Sequence, residues 1–146
     1  MVNPEDRVLL VRLQFSDRSR WVLPGGGKEG EEDDATALRR ELMEETGAPE
    51  VFIGPPIWIR RMINPKLNAN YDGQEETAYL VPCHGFEIKP SMTTDELHAE
   101  GLMEHRWWSV EEMESTEESL RPVGMVEIVK QVLEFGAPAE PFQLDR

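Results

Sequence analysis

Three glutamates, Glu41, Glu44 and Glu45, recur at three- and four-residue spacing shortly after the glycine-rich run Pro24-Gly25-Gly26-Gly27-Lys28. On a helix this spacing gathers the carboxylates into one stripe. Like charges so placed cost an isolated helix roughly 0.2–0.5 kcal/mol per pair, and partial burial adds to the repulsion. A hard divalent cation removes that cost. Carboxylate oxygens, water and phosphate oxygens make up the near-octahedral shell that Mg2+ prefers and Mn2+ accepts, so the stripe reads as a metal site for a diphosphate. Most Glu-rich faces are only solvated ones. Here the glycine run leads straight into the helix and lets backbone groups approach a ligand closely, which favours the metal reading.

The surrounding residues predict the elements that must hold this stripe. Asp33 or Asp34 is an N-cap, Ala35, Leu38 and Leu42 recur at helical spacing, and Gly47 stands where a helix ends on a left-handed residue, which gives a helix over 34–46. The glutamate stripe lies beside the apolar stripe, at the edge of the core. Trp21 to Gly27 ends a short strand at 20–23 in a tight turn.

Gly26, Glu32, Arg40, Glu41, Glu44, Glu45 and Gly47, with apolar Leu42, fit the pattern G-x5-E-x7-R-E-U-x-E-E-x-G-U, where U is aliphatic. The stretch from Gly26 to Ala48 therefore resembles the Nudix box, departing only at Ala48, where the family prefers a larger residue. Val8 to Phe15 resembles the strand before the box, and Arg106-Trp107-Trp108-Ser109 resembles a late strand running into a helix. The resemblance implies an α/β/α sandwich around a mixed β-sheet. It also implies Mg2+-dependent hydrolysis of a diphosphate linkage in a small nucleotide, either a nucleoside triphosphate or a nucleotide sugar such as ADP-ribose. Glu41, Glu44 and Glu45 would be the metal ligands with the Gly25 carbonyl as a further one, Arg40 would orient a neighbouring glutamate, and Glu32 would support the loop-helix junction. The proton acceptor stays open between Glu41, inside the box, and a loop glutamate outside it. Glu100 is the choice outside, because Glu100-Gly101 lies in a long loop shortly before Trp107; Glu75, Glu76 and Glu104 compete. Two other function classes remain: a nucleotide-binding module of the same fold without turnover, and a structural domain whose carboxylates are merely solvated.

In the family's layout Trp58 and Tyr71 lie near the substrate side and are candidates for stacking on a base. Core packing is the competing role for Trp58, and a surface contact for Tyr71. Arg60 and Lys28, with Arg39, Arg61 and Lys66, are candidate phosphate-steering cations, the ordinary alternative for each being a solubilising surface charge. Trp21, Trp107 and Trp108 read as structural, and His84, His98 and His105 show no metal-ligand spacing.

With 146 residues, 39% of them hydrophobic, the chain suits one domain over 1–136, followed by a tail from 137 to 146 whose two prolines predict fraying. A net charge of −14 argues against long RNA or DNA as a partner, whereas a small phosphate ester entering with its cation escapes most of the repulsion. No apolar run suits a membrane span or a signal peptide. The lone cysteine, Cys83, reads as a small core residue, and a single free thiol fits a reducing cytoplasm.

Strands are expected at 8–15, 20–23, 57–63 and 75–81, with a shorter one near 86–88. Loops are expected at 64–74 and 90–104, the second holding a helical turn at Thr94 to His98. A capping box at Ser109 and Glu112 starts a short helix, and an amphipathic helix spans Pro122 to Phe135. A strand usually precedes the first of these in the family, yet only Met1, Val2 and Asn3 stand before the turn at Pro4 to Arg7. The first strand thus reads as truncated, which would leave a sheet edge open and predicts a homodimer or reduced stability.

Overall fold

The computed structural model describes residues 1–62, 74–84 and 86–145. The elements run β1 (Val8–Phe15), β2 (Arg18–Val22), α1 (Asp34–Thr46), β3 (Pro56–Met62), β4 (Gln74–Tyr79), α2 (Thr94–Ala99), β5 (Leu102–Trp108), α3 (Val110–Ser115), α4 (Met125–Phe135) and β6 (Phe142–Leu144). The expected positions of β1 and α1 match residue for residue, and most other elements agree to within two or three residues.

β1 is central in an antiparallel sheet of order β2-β1-β5, and its Val-Leu-Leu-Val start is buried on both faces. Such an uninterrupted apolar run is what a strand covered on two sides requires. Val8 and Leu10 join Trp21, Trp58, Trp108 and Met125 in the larger core, beneath α3 and α4. Leu9 packs with Leu42 of α1, and Val11 with Leu97 of α2. The two carboxylate-bearing segments therefore share one face of this sheet. A second sheet, of order β4-β3-β6, completes the α/β architecture, and its β3–β6 pair is parallel.

α1 forms for the reasons its sequence suggests. The Asp33 carboxylate accepts the Thr36 N–H at 2.7 Å, and Gly47 ends the helix at φ 69°. Its last carbonyls, which no helix can satisfy internally, are taken by the segment leading to α2. Lys89 N–H bonds to the Thr46 carbonyl at 2.9 Å, Met92 N–H to Glu44 at 3.2 Å, and Ser91 N–H to Met43 at 3.3 Å. The Lys89 carbonyl presses on Gly47 so closely that no side chain fits there. At α3 the capping box between Ser109 and Glu112 is complete.

Three expectations need correction. The open edge at the first strand is bridged at Val2, which pairs antiparallel with Val8, donates its N–H to the Val81 carbonyl and accepts the Cys83 N–H. The edge argument for a homodimer loses its basis at that point. The tail does not fray: Phe142–Leu144 forms β6 against β3, opposite Trp58 to Arg60, and Phe142 and Leu144 pack on the larger core. Burying those two side chains while satisfying backbone groups along β3 holds a segment too short to show periodicity. Residues 86–88 form no strand; Phe86 and Ile88 instead pack against the core under α1.

Candidate active site

The glycine run lies along α1, antiparallel to it, and each of its residues meets a different helix side chain. Gly25 donates its N–H to Glu45 Oε2 at 2.9 Å. Gly26 faces Glu41 with no intervening space, since a Cβ there would stand 2.5 Å from the carboxyl carbon. The Gly27 carbonyl accepts from Arg40 Nη2 at 3.0 Å, and Lys28 Nζ reaches Asp34 Oδ1 at 2.7 Å. Asp34 precedes Glu41 by seven residues, so it lies on nearly the same azimuth about 10 Å nearer the N-terminus. Tyr79 of β4 donates its hydroxyl to the other oxygen of Asp34 at 2.6 Å, and the shared carboxylate tethers the loop to the second sheet.

Glu45 is only 6% exposed. Burial pushes its carboxyl up to about 8, the Gly25 N–H pulls it back in part, and the charges of Glu41, Glu100 and Glu44 raise it further. Glu41 is also raised, first by burial, while the Arg40 guanidinium opposes the shift and Glu44 and Glu100 reinforce it. Arg40 is the hub. It donates to Glu32 through Nε and Nη2 at 2.9–3.2 Å, and Nη1 reaches Glu41 at 2.9 Å and Glu44 at 3.5 Å. Its own proton is held more tightly than usual, chiefly by Glu32, whose carboxyl is lowered in turn by Arg40 and by the Glu29 N–H. The roles expected of Arg40 and Glu32 at the junction have this geometry behind them.

Glu100 ends α2, its N–H shared among the carbonyls of the last turn, and the following Gly101 (φ 83°) accepts the Gln14 N–H at 2.8 Å. Its charge reaches both Glu41 and Glu45. The three competing glutamates are engaged elsewhere: Glu75 with Arg61, Glu76 with Arg60, and Glu104 with Arg12. Of the glutamates weighed outside the box, Glu100 is the one brought to the carboxylate stripe.

The substrate-binding candidates fare unevenly. Trp58 is 2% exposed in the larger core and cannot stack on a base, because the face of β3 that carries it is covered by the packed sheets and α4. Arg60 is committed to Glu76 at 2.6 Å across β3 and β4, with its Nε buried. Lys28 is exposed and pairs with Asp34 at the rim of an open groove of about 580 Å³ that Arg39, Ile53 and Tyr79 also line. Tyr71 and Lys66 lie outside the described residues. The sequence reading missed the Lys28–Asp34–Tyr79 chain and the place of His105, whose ring lies beside the Glu45 backbone and whose proton affinity burial lowers. A strand residue two positions from Trp107 shares its sheet face and signals only that it faces α1.

As the side chains stand, no group of three His, Cys, Asp or Glu among the described residues is closed tightly enough to hold a metal ion. Glu41 and Glu44 lean on Arg40, and Glu45 on Gly25. The donor chemistry nevertheless fits a hard divalent cation: oxygen ligands alone, on a half-buried stripe where burial first, and mutual repulsion after it, raise two of the three carboxyls, with a glycine at position 26 leaving room for the Glu41 head. Among the described residues no helix is long and apolar enough to cross a membrane.

The NUDIX domain profile matches residues 1–129. An RNA pyrophosphohydrolase of Dinoroseobacter shibae is 34% identical over 110 residues, covering 69% of this chain and 67% of that protein. Nudix hydrolase 25 of Arabidopsis thaliana is 27% identical over 119 residues, covering 74% and 68%. Among solved structures, a NUDIX hydrolase from Nitrosomonas europaea shares the fold with a TM-score of 0.67 at 17% identity, covering 96% of this chain and 72% of that one. Box, fold and relatives agree, and the chain belongs to the Nudix family as a pyrophosphohydrolase.

Proposed function

We propose that the chain hydrolyses the diphosphate linkage of a nucleotide in a Mg2+-dependent reaction. The observation that carries this reading is the stripe of Glu41, Glu44 and Glu45, half-buried under a glycine loop, with two of its carboxyls raised by burial and mutual repulsion. Glu41, Glu44 and Glu45, with the Gly25 carbonyl, would hold the cation. When bound, it supplies Lewis-acid polarisation of the phosphoryl oxygens and offsets charge on the leaving group. Arg40 fixes the direction of Glu41 and Glu44 and ties the stripe to the glycine loop through Glu32 and Gly27. Glu100, held on the end of α2 and outside any ion pair among the described residues, accepts the proton of the attacking water. Glu41 is the alternative acceptor: its raised carboxyl favours that role, whereas its pairing to Arg40 occupies the carboxylate and suits it as a ligand.

Small nucleotides, nucleotide sugars and the 5′ ends of RNA present the same group to this stripe. The naming of a relative as an RNA pyrophosphohydrolase favours including RNA, while the net charge of −14 favours small substrates. A panel of nucleoside triphosphates, dinucleoside polyphosphates, nucleotide sugars and 5′-triphosphorylated RNA, assayed with and without Mg2+, tests the reading. Metal-dependent release from any member, lost at least about tenfold in Glu45→Gln, supports it. Silence across the panel, with nucleotide binding retained, would favour a binding module without turnover.

A further inference from the structure

With 15 Lys and Arg against 29 Asp and Glu, most cations find a carboxylate, as Arg12, Arg60, Arg61 and Lys130 do. Arg18 and Arg20 have no such partner among the described residues, and both are exposed on β2. The hairpin register sets Arg18 opposite Phe15, Arg20 opposite Leu13, and Val22 opposite Val11. All six side chains therefore point to the sheet face on which α1 and α2 pack. Phe15 is 49% exposed, and the Arg20 guanidinium lies over its ring, 5.1 Å from the centroid. β2 continues through Leu23 and Pro24 directly into Gly25, whose N–H holds Glu45. The β1–β2 hairpin thus carries an exposed strip of two arginines and an aromatic ring away from the carboxylates, on the carboxylate side of the sheet.

We propose that Phe15, Arg18 and Arg20 bind the first few nucleotides of a single-stranded RNA whose 5′ phosphate-bearing end lies at Glu41, Glu44 and Glu45, an inference that rests on the hydrolase reading above. Side chains two apart on a strand stand about 6.6 Å from one another, so Arg18 and Arg20 can meet successive phosphates of an extended strand. The face of the Phe15 ring that the Arg20 guanidinium does not cover offers a stacking surface that accepts any base. The general repulsion of a −14 chain does not forbid this contact. Screening at physiological salt confines each charge to about 8 Å, so the strip acts on the nucleotides nearest the site and not on a long strand. Asp17 at the hairpin tip limits the strip's net charge and keeps the contact short. An anionic lipid surface is the poorer fit, because such surfaces are held by clusters of about four to eight cations.

The test uses a fluorescently labelled pentaribonucleotide with a 5′ monophosphate, which contains no diphosphate to cleave, titrated with wild-type protein, Arg18→Gln/Arg20→Gln and Phe15→Ala over a range of salt. All three side chains are exposed, and unchanged melting temperatures would show the variants to be folded. The double variant should bind the pentamer at least about tenfold more weakly, and its slope of log K against log salt should flatten by about 1.4, at 0.7 per phosphate contact. Phe15→Ala should weaken binding and leave that slope alone. Turnover of a nucleoside triphosphate should stay at the wild-type rate in both. Pentamer affinity and salt slope unchanged in the double variant would overturn the proposal. So would wild-type protein binding the pentamer no more tightly than a mononucleotide, or a loss confined to binding of phosphatidylserine vesicles. A wild-type protein that cleaves no diphosphate would instead sink the hydrolase reading, and the binding titration would still report on the strip.

Discussion

Gly26 and Glu41 face each other so closely that a Cβ on the glycine would stand 2.5 Å from the glutamate's carboxyl carbon and 2.6 and 2.7 Å from its oxygens. Glu41 is tied on its other side to Arg40, so it cannot withdraw freely. In Gly26→Ala the carboxylate must swing out of line. A displacement near 1 Å at a reacting centre costs on the order of 10²-fold in rate. We expect kcat/KM to fall by about that factor, with a melting temperature close to wild type. A variant with wild-type kinetics would show that the position of Glu41 does not matter.

Glu45 makes the metal-free protein pH-sensitive. Its carboxyl sits at about 8 in the fold against an ordinary 4.5. The folded state therefore binds this proton more tightly, and the resulting stability is full below about pH 4.5 and is lost as the pH rises through about 8. In chelator, the wild-type melting temperature should fall between pH 5 and 8, more steeply than that of Glu45→Gln, which should be the more stable protein at pH 8. Added Mg2+ should raise the wild-type value at pH 8. Parallel pH curves for the two proteins would refute the burial argument.

Arg40 uses its guanidinium as a fork, with Nε and Nη2 on Glu32, Nη1 on Glu41, and Nη2 also on the Gly27 carbonyl. Lysine keeps the charge but offers a single point of attachment. Arg40→Lys should therefore lose at least about tenfold in kcat/KM, and calorimetry should show weaker Mg2+ binding. If Lys restored both, charge alone would account for the residue.

Trp58 is core. Trp58→Ala should cost about 3–5 kcal/mol in denaturant unfolding, the usual range for deleting a buried aromatic. Under conditions where the variant is folded, KM should change little. A raised KM with unchanged stability would return Trp58 to the substrate site.

The sequence makes the box legible because its chemistry is local. Helix caps, the apolar stripe and the glutamate stripe of α1 all lie within one short stretch, and the structure keeps them there. The same local logic gave β1 and the capping box at Ser109. What the sequence could not show depends on contacts made across the chain. Trp58 and Arg60 stand on a strand whose face is covered by the other sheet and α4, far away in sequence, so their burial is invisible in their own neighbourhood. β6 is too short to carry a period. The Lys28–Asp34–Tyr79 chain needs β4 to come alongside the start of α1, and the engagement of Glu75, Glu76 and Glu104 needs two pairs of strands, β3–β4 and β1–β5, in register. Glu100 stands out in the sequence for its place in a loop, whereas its position near the carboxylate stripe depends on α2 docking on β1 beside the box helix.

The backbone bonds that join Lys89, Ser91 and Met92 to the end of α1 also fix how the cleft can open. Net values of roughly 0.5–1.5 kcal/mol for each hydrogen bond, and more if a buried partner is left empty, make it costly to hinge α2 away from α1. Glu100 and the carboxylate stripe of α1 therefore move as one jaw. The glycine loop is tied to the same helix, through Gly25 to Glu45, Gly27 to Arg40 and Lys28 to Asp34. Loop, box helix and α2 thus form one preorganised unit, and relaxation measurements should find the amides of Gly25 to Glu29 and of 89–92 as quiet as those of the helix.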